Sequence, residues 1–253
     1  MWNPFRWWLQ RQLRRYAIPD QRWQATLLRL PLLAALTPPQ QQHLRELATL
    51  LLIHKRINGA GSFEPDTAMR TTVAALAALP VLGLDLDWYE NWHEIVLQPG
   101  TFVQEHEWRD EIGVAHHERR ALEGEAWEQG PVLLAWPEVM QSGQHNGFNI
   151  VIHELAHKLD MLNGEANGFP PLHRGMAPAT WSAAFSAAYA DLCHRVDHGE
   201  HTALDPYAAE NPAEFFAVMC EAFFETPALL QHSYPAVYEQ LRQFFRQDPL
   251  APR

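Results

Sequence analysis

His153-Glu154-Leu155-Ala156-His157 places two imidazoles four residues apart, with a carboxylate beside the first. On an α-helix such histidines lie about 40° apart around the axis, one turn above the other, so both rings can reach one ion. Zn²⁺ favours nitrogen ligands of this kind. A glutamate next to the first ligand can reach a water held at the ion without ligating, which is the position of a general base. Around the motif, Phe148, Val151, Ile152, Leu155, Leu159 and Leu162 form an apolar stripe at helical spacing. The histidines fall on the opposite face, with Asn149 and Asp160 beside them. The pattern predicts a helix capped by Asn146 and stopped at Asn163-Gly164, packed on the core by one face and lining a cleft with the other. Asp160, one turn past His157, is either an acceptor that orients a ligand imidazole or half of a helix-surface ion pair.

A catalytic zinc site takes three protein ligands and keeps one position open. The metzincin layout needs a glycine and a third histidine where this chain has Asp160 and Asn163. A thermolysin-like layout wants a glutamate roughly twenty residues downstream, and residues 169–195 contain none. The best-placed acids lie between Asn211 and Glu225, a stretch that reads as a helix with Asn211 at its cap and Pro212 at its first position. Glu214, Glu221 and Glu225 share one face of it, and Phe216, Met219 and Phe223 the other. Spacing leaves alternatives open here. Glu214 can ligate or can close a capping box on Asn211, and Glu221 and Glu225 can form a solvated acidic edge.

The run from Asn149 to Asp160, Asn-Ile-Val-Ile-His-Glu-Leu-Ala-His-Lys-Leu-Asp, is followed by Tyr207, six residues, and then Glu214-Phe-Phe-Ala. Together these motifs resemble the Mlc titration factor A family of bacterial cytosolic zinc peptidases, which is related to the catalytic domain of anthrax lethal factor. Chain length and the tryptophan-rich start agree, so the resemblance covers nearly the whole chain. It implies that His153, His157 and Glu214 ligate one zinc ion and that Glu154 is the catalytic base. It also implies that Tyr207 donates a hydrogen bond to the developing oxyanion. The same resemblance implies aminopeptidase-like action on peptide substrates in the cytoplasm and binding to Mlc, a transcriptional repressor of sugar uptake. Judged by its own surroundings, Tyr207 follows the turn signal Asp205-Pro206 and can be read as a surface loop residue.

These residues need a scaffold. Helices are predicted around Gln40–Lys55, Glu64–Leu79, Pro178–Val196 and Pro235–Gln247, and strands at Trp92–Val103, Gly113–Glu125 and Val132–Trp136. The last strand, just before the histidine helix, is expected to edge the cleft and pair with extended substrate. The Gly- and Pro-rich loop from Asn163 to Pro178 is a candidate for covering that cleft. The expected architecture is α+β: an N-terminal helical segment, residues 1–60, packed on a zincin-like metallopeptidase domain, residues 61–253, with a small mixed sheet and a mainly helical C-terminal half. A monomer is expected.

Composition narrows the partners. A formal net charge of −11 argues against direct contact with nucleic acid. No apolar run approaches the eighteen or so residues of a transmembrane segment, and Cys193 and Cys220 suggest no disulfide framework. Against the acidic average, residues 1–30 carry Arg6, Arg11, Arg14, Arg15, Arg22 and Arg29 but only Asp20, interleaved with Trp2, Trp7, Trp8 and Trp23. We read this as helix whose tryptophans pack on the domain and whose arginines face water, in preference to a segment lying on an anionic membrane or an acidic partner.

Overall fold

The computed structural model describes residues 4–100, 107–109, 115–117 and 130–251. Its first four helices are α1 (Pro4–Tyr16), α2 (Asp20–Arg29), α3 (Pro31–Ala34) and α4 (Pro38–His54). Strand β1 (Arg56–Gly59) leads into α5 (Thr67–Ala78) and then β2 (Glu94–Gln98). Next come β3 (Glu107–Arg109), β4 (Ala115–His117) and β5 (Val132–Ala135). The remainder is helical: α6 (Trp136–Val139), α7 (Ile150–Asp160), α8 (Pro178–Asp197), α9 (Pro212–Glu225), α10 (Pro227–Ser233) and α11 (Pro235–Phe245).

β1, β2 and β5 form a three-stranded sheet in that order, parallel throughout, with Ile57 opposite Ile95 and Ile95 opposite Val132. Parallel neighbours require a crossover, and α5 supplies the first. β3 and β4 pair antiparallel with each other. This is the expected α+β fold with a mainly helical C-terminal half. Among the described strands β5 stands at one edge of the sheet, packed against α7. Its predicted span was one residue too long, because Trp136-Pro137 opens α6 instead. The strand expected over Trp92–Val103 forms at Glu94–Gln98, and its last residues lie outside those described. Of the strand expected over Gly113–Glu125, only Ala115–His117 is described as strand.

α5 starts three residues later than its pattern, since the Asp66 side chain accepts from the Met69 amide at 2.8 Å and caps the helix there. Its alanine-rich body is buried from Thr71 to Ala78. One hydrophobic cluster runs from Trp23, Leu33 and Leu44 through Leu76 to Ile152, Phe216 and Phe244. In α7 the side chains of Val151, Ile152, Leu155 and Leu159 are fully buried, contributing about 1.5–3 kcal/mol each. Phe148 and Leu162 fall outside the helix and are only half-buried. Trp23 packs inside as expected while Arg14 and Arg15 face solvent; the side chains of Trp2, Trp7, Trp8 and Arg6 lie outside those described. Among the described residues no helix is long and apolar enough to cross a membrane.

Candidate metal centre

α7 is capped by Asn149, whose Oδ1 accepts from the Ile152 amide at 3.1 Å. The expected cap, Asn146, stands in the preceding turn, where its side chain binds the Phe148 amide and the Gln141 carbonyl. Gly147 there takes φ 89°, a conformation suited to a turn and not to a helix start. From this cap, His153 falls one turn in and His157 one turn further. Their rings stand edge to face with centroids 4.9 Å apart, and their Nε2 atoms approach to 3.3 Å.

α9 supplies the third donor. Asn211 caps it through Oδ1, which accepts from the amides of Ala213 and Glu214. The Glu214 side chain does not turn back to that cap. It faces α7 instead, with Oε2 3.0 Å from His153 Nε2 and Oε1 3.4 Å from His157 Nε2. Two ligands bonded at about 2.05 Å and separated by the tetrahedral angle stand about 3.3 Å apart. The two Nε2 atoms are 3.3 Å apart, and they lie 3.0 and 3.4 Å from the two different oxygens of the Glu214 carboxylate, so the three side chains converge closely enough to share one zinc-sized ion. The donor chemistry agrees, with two imidazole nitrogens and one carboxylate oxygen. Two ring nitrogens 3.3 Å apart also require a cation or proton between them, since two bare lone pairs would repel.

The charge balance points the same way. Burial by itself would lower the His153 pKa, but hydrogen bonds to Glu214 and Glu221 outweigh it and hold the imidazole well above its ordinary range. Burial pushes Glu214 up, yet its bonds to His153 and His157 bring it well below the usual carboxylate range. The pocket therefore favours bound positive charge, and a metal ion competes with a proton for it.

The sequence reading missed a second layer of contacts. Glu221 and Glu225 do not form a solvated edge; they are 5% and 1% exposed. Glu221 Oε1 lies 2.8 Å from His153 Nδ1, and its Oε2 accepts from the Asn149 amide at 2.5 Å. Glu225 accepts from the amides of Gly143 and His145 and from Asn149 Nδ2, at 2.7, 2.7 and 2.8 Å. Burial raises its pKa, opposed by those bonds. A usable signal was present in the sequence: apolar residues surround these glutamates on every other face of α9, the mark of a wholly buried helix.

Glu154 is half-buried on α7, near enough for its charge to act on His153, Lys158 and Tyr207. Tyr207 lies in a short 3₁₀ turn, Pro206–Ala209, its amide bonded to Asp205 Oδ1. Its ring centroid is 6.3 Å from that of His153. Burial first, and then the charge of Glu214, raise the phenol above its usual pKa. It is 36% exposed, so one side remains open to an approaching molecule.

Asp160 is not part of a surface ion pair. It is fully buried, and its Oδ2 accepts from the amides of Asn167 and Gly168 at 2.8 and 2.6 Å. Its Oδ1 and the Nδ1 of His157 are both buried with no hydrogen-bond partner among the described residues. Gly168 holds φ 77°, and a side chain there would strike the Pro212 carbonyl at 2.5 Å. The loop expected to cover the cleft is thus pinned beside the start of α9.

A His-Glu-x-x-His helix facing a glutamate-bearing helix, on a small α+β scaffold, defines a metallopeptidase-type centre. The chain belongs to the glucose-regulated metallo-peptidase M90 family, whose model matches residues 5–246. It is 41% identical over 227 residues to the Mlc titration factor A of Yersinia pestis (strain Pestoides F), with 88% of this chain and 84% of the relative covered. The protein of the same name from Yersinia pseudotuberculosis serotype O:1b matches with the same identity and coverage.

Proposed function

We propose that this protein is a zinc-dependent metallopeptidase of the bacterial cytosol, aminopeptidase-like in its action, which also binds the repressor Mlc. The observation that carries the reading is the convergence of His153 Nε2, His157 Nε2 and the Glu214 carboxylate within 3.0–3.4 Å, beside the half-buried side chain of Glu154. When bound, zinc would supply Lewis acidity toward water and a peptide carbonyl. His153, His157 and Glu214 would hold it. Glu154 takes the proton of the attacking water and delivers it to the leaving amine, a role worth roughly 10²–10⁴-fold in rate. The protonated Tyr207 donates a hydrogen bond to the oxygen on which charge develops. Extended substrate adds along the edge strand β5, beside α7. The aminopeptidase preference and the cytosolic setting rest on the family resemblance, and the association with Mlc rests on the name of the relatives.

That name also supports a second reading, in which the protein only sequesters the repressor and the metal is structural. Glu154→Gln separates the two. The catalytic reading expects this variant to keep wild-type zinc content and Mlc binding while losing hydrolysis of unblocked aminoacyl and peptide substrates by at least about 10²-fold. Equal cleavage by variant and wild type would sink it.

A further inference from the structure

We propose that Glu221 is a positioning residue for the metal centre, presenting His153 to the ion by fixing its tautomer and ring plane. The inference rests on the zinc reading above. A neutral imidazole that ligates through Nε2 carries its one proton on Nδ1. At His153 that proton points at Glu221 Oε1, 2.8 Å away. Glu221 itself cannot swing. It is 5% exposed, and its second oxygen is held by the Asn149 amide. Asn149 is in turn fixed from its side chain by Glu225 and caps α7 through its own Oδ1. The bonds form one chain from α9 to the ligand: Glu225 to Asn149, Asn149 to Glu221, Glu221 to His153.

The two histidines are therefore unequal. His153 is anchored at both nitrogens, whereas His157 Nδ1 has no partner among the described residues. Glu214, Glu221 and Glu225 recur at intervals of seven and four residues, which keeps them on one helical face. One row of carboxylates thus supplies a ligand, a brace for the other helix's first ligand, and a clamp on that helix's cap.

The carboxylate is required for a specific reason. Glu221 offers two acceptors, and both face N–H donors, one from His153 and one from Asn149. Glutamine has the same shape but a single acceptor oxygen, so its NH₂ must meet one of these donors head-on. Glu221→Gln is therefore the diagnostic substitution. Partners of this kind typically account for 10- to 100-fold in metal affinity.

The test measures zinc affinity by chelator competition for the wild type, Glu221→Gln and Glu214→Gln, with the far-ultraviolet melt of each metal-free protein as a check on folding. The expected result is zinc binding weakened about 10- to 100-fold by Glu221→Gln and far more by Glu214→Gln. A second measurement starts from the wild type alone, where it can already fail. In the zinc-loaded wild type the His153 Nδ1 proton should give a protected, downfield-shifted NMR resonance, which Glu221→Gln should remove or shift upfield. Unchanged affinity in Glu221→Gln, or no such resonance in the wild type, overturns the proposal and leaves the metallopeptidase reading standing. Loss of zinc as complete as in Glu214→Gln also overturns it, since Glu221 would then be a ligand. A wild-type protein that binds no zinc overturns both.

Discussion

A phenol is protonated at neutral pH by its ordinary acidity, and burial and then the negative charge of Glu214 push Tyr207 further in that direction. A protonated phenol can donate where a phenolate cannot. A donor aimed at charge that appears only in the transition state acts on kcat and leaves substrate binding largely alone. Tyr207→Phe is accordingly expected to lower kcat by about 10²-fold, the lower end for a lost oxyanion donor because the ring is partly open to water. KM, zinc content and melting temperature should stay near wild type, and steady-state kinetics beside metal analysis would check this. Unchanged kcat would return Tyr207 to the surface-loop reading. The residues of the site were unequally legible. His153, Glu154 and His157 can be read from spacing, because helical pitch alone brings them together. Glu214 lies beyond α8, and no spacing rule closes that gap; the family motif did. For Glu221, the apolar residues on every other face of α9 are a sign of burial, but no pattern within one helix says which imidazole a buried carboxylate meets.

Helix starts carry a similar ambiguity. Asn146 and Asn149 are both good cap residues, and an apolar Phe148 between them made the earlier one read as the cap. The structure assigns the work to Asn149, whose side chain caps Ile152 and binds Glu225 while its amide holds Glu221. Asn149→Ala removes the cap and leaves one oxygen of a buried carboxylate short of a donor, at an expected cost of about 1–3 kcal/mol. Asn146→Ala, in an exposed turn, should cost less than about 0.5 kcal/mol. Denaturant melts of the two variants would rank them, and a larger loss at Asn146 would contradict the observed cap. Most helices were legible within a few residues, since proline and side-chain caps mark their ends: Pro38, Asp66, Pro178 and Pro235. The sheet was less so. Its strands are four or five residues long and parallel. Strands that short give little alternation to read, and the order of parallel strands is set by crossovers that pattern does not encode.

Across the whole molecule, the question is whether residues 1–60 are an accessory to the catalytic part or a condition for it. The contacts favour the second. β1 completes the sheet against β2, and Leu27, Leu30, Leu33, Leu44, Leu47 and Leu51 are all buried in the cluster that also holds Ile152 and Phe216. At about 1.5–3 kcal/mol each, six such side chains rival the entire net stability of a typical domain, about 5–15 kcal/mol. The link to the metal centre is also direct. The Leu32 amide donates to the Gly143 carbonyl, and the Gly143 amide donates to Glu225, which holds Asn149 at the head of α7. A side chain at Gly143 would come within 2.9 Å of Leu30 Cδ2, so the two segments are also closely packed. The full chain should therefore unfold in one transition, with circular dichroism, tryptophan fluorescence and zinc release coincident. A fragment beginning at residue 61 is expected to show no cooperative melt and no stoichiometric zinc binding. If that fragment melts cooperatively and binds zinc near wild-type affinity, the helical start is a separable domain, and the path from Leu32 to Asn149 is packing without consequence for the site.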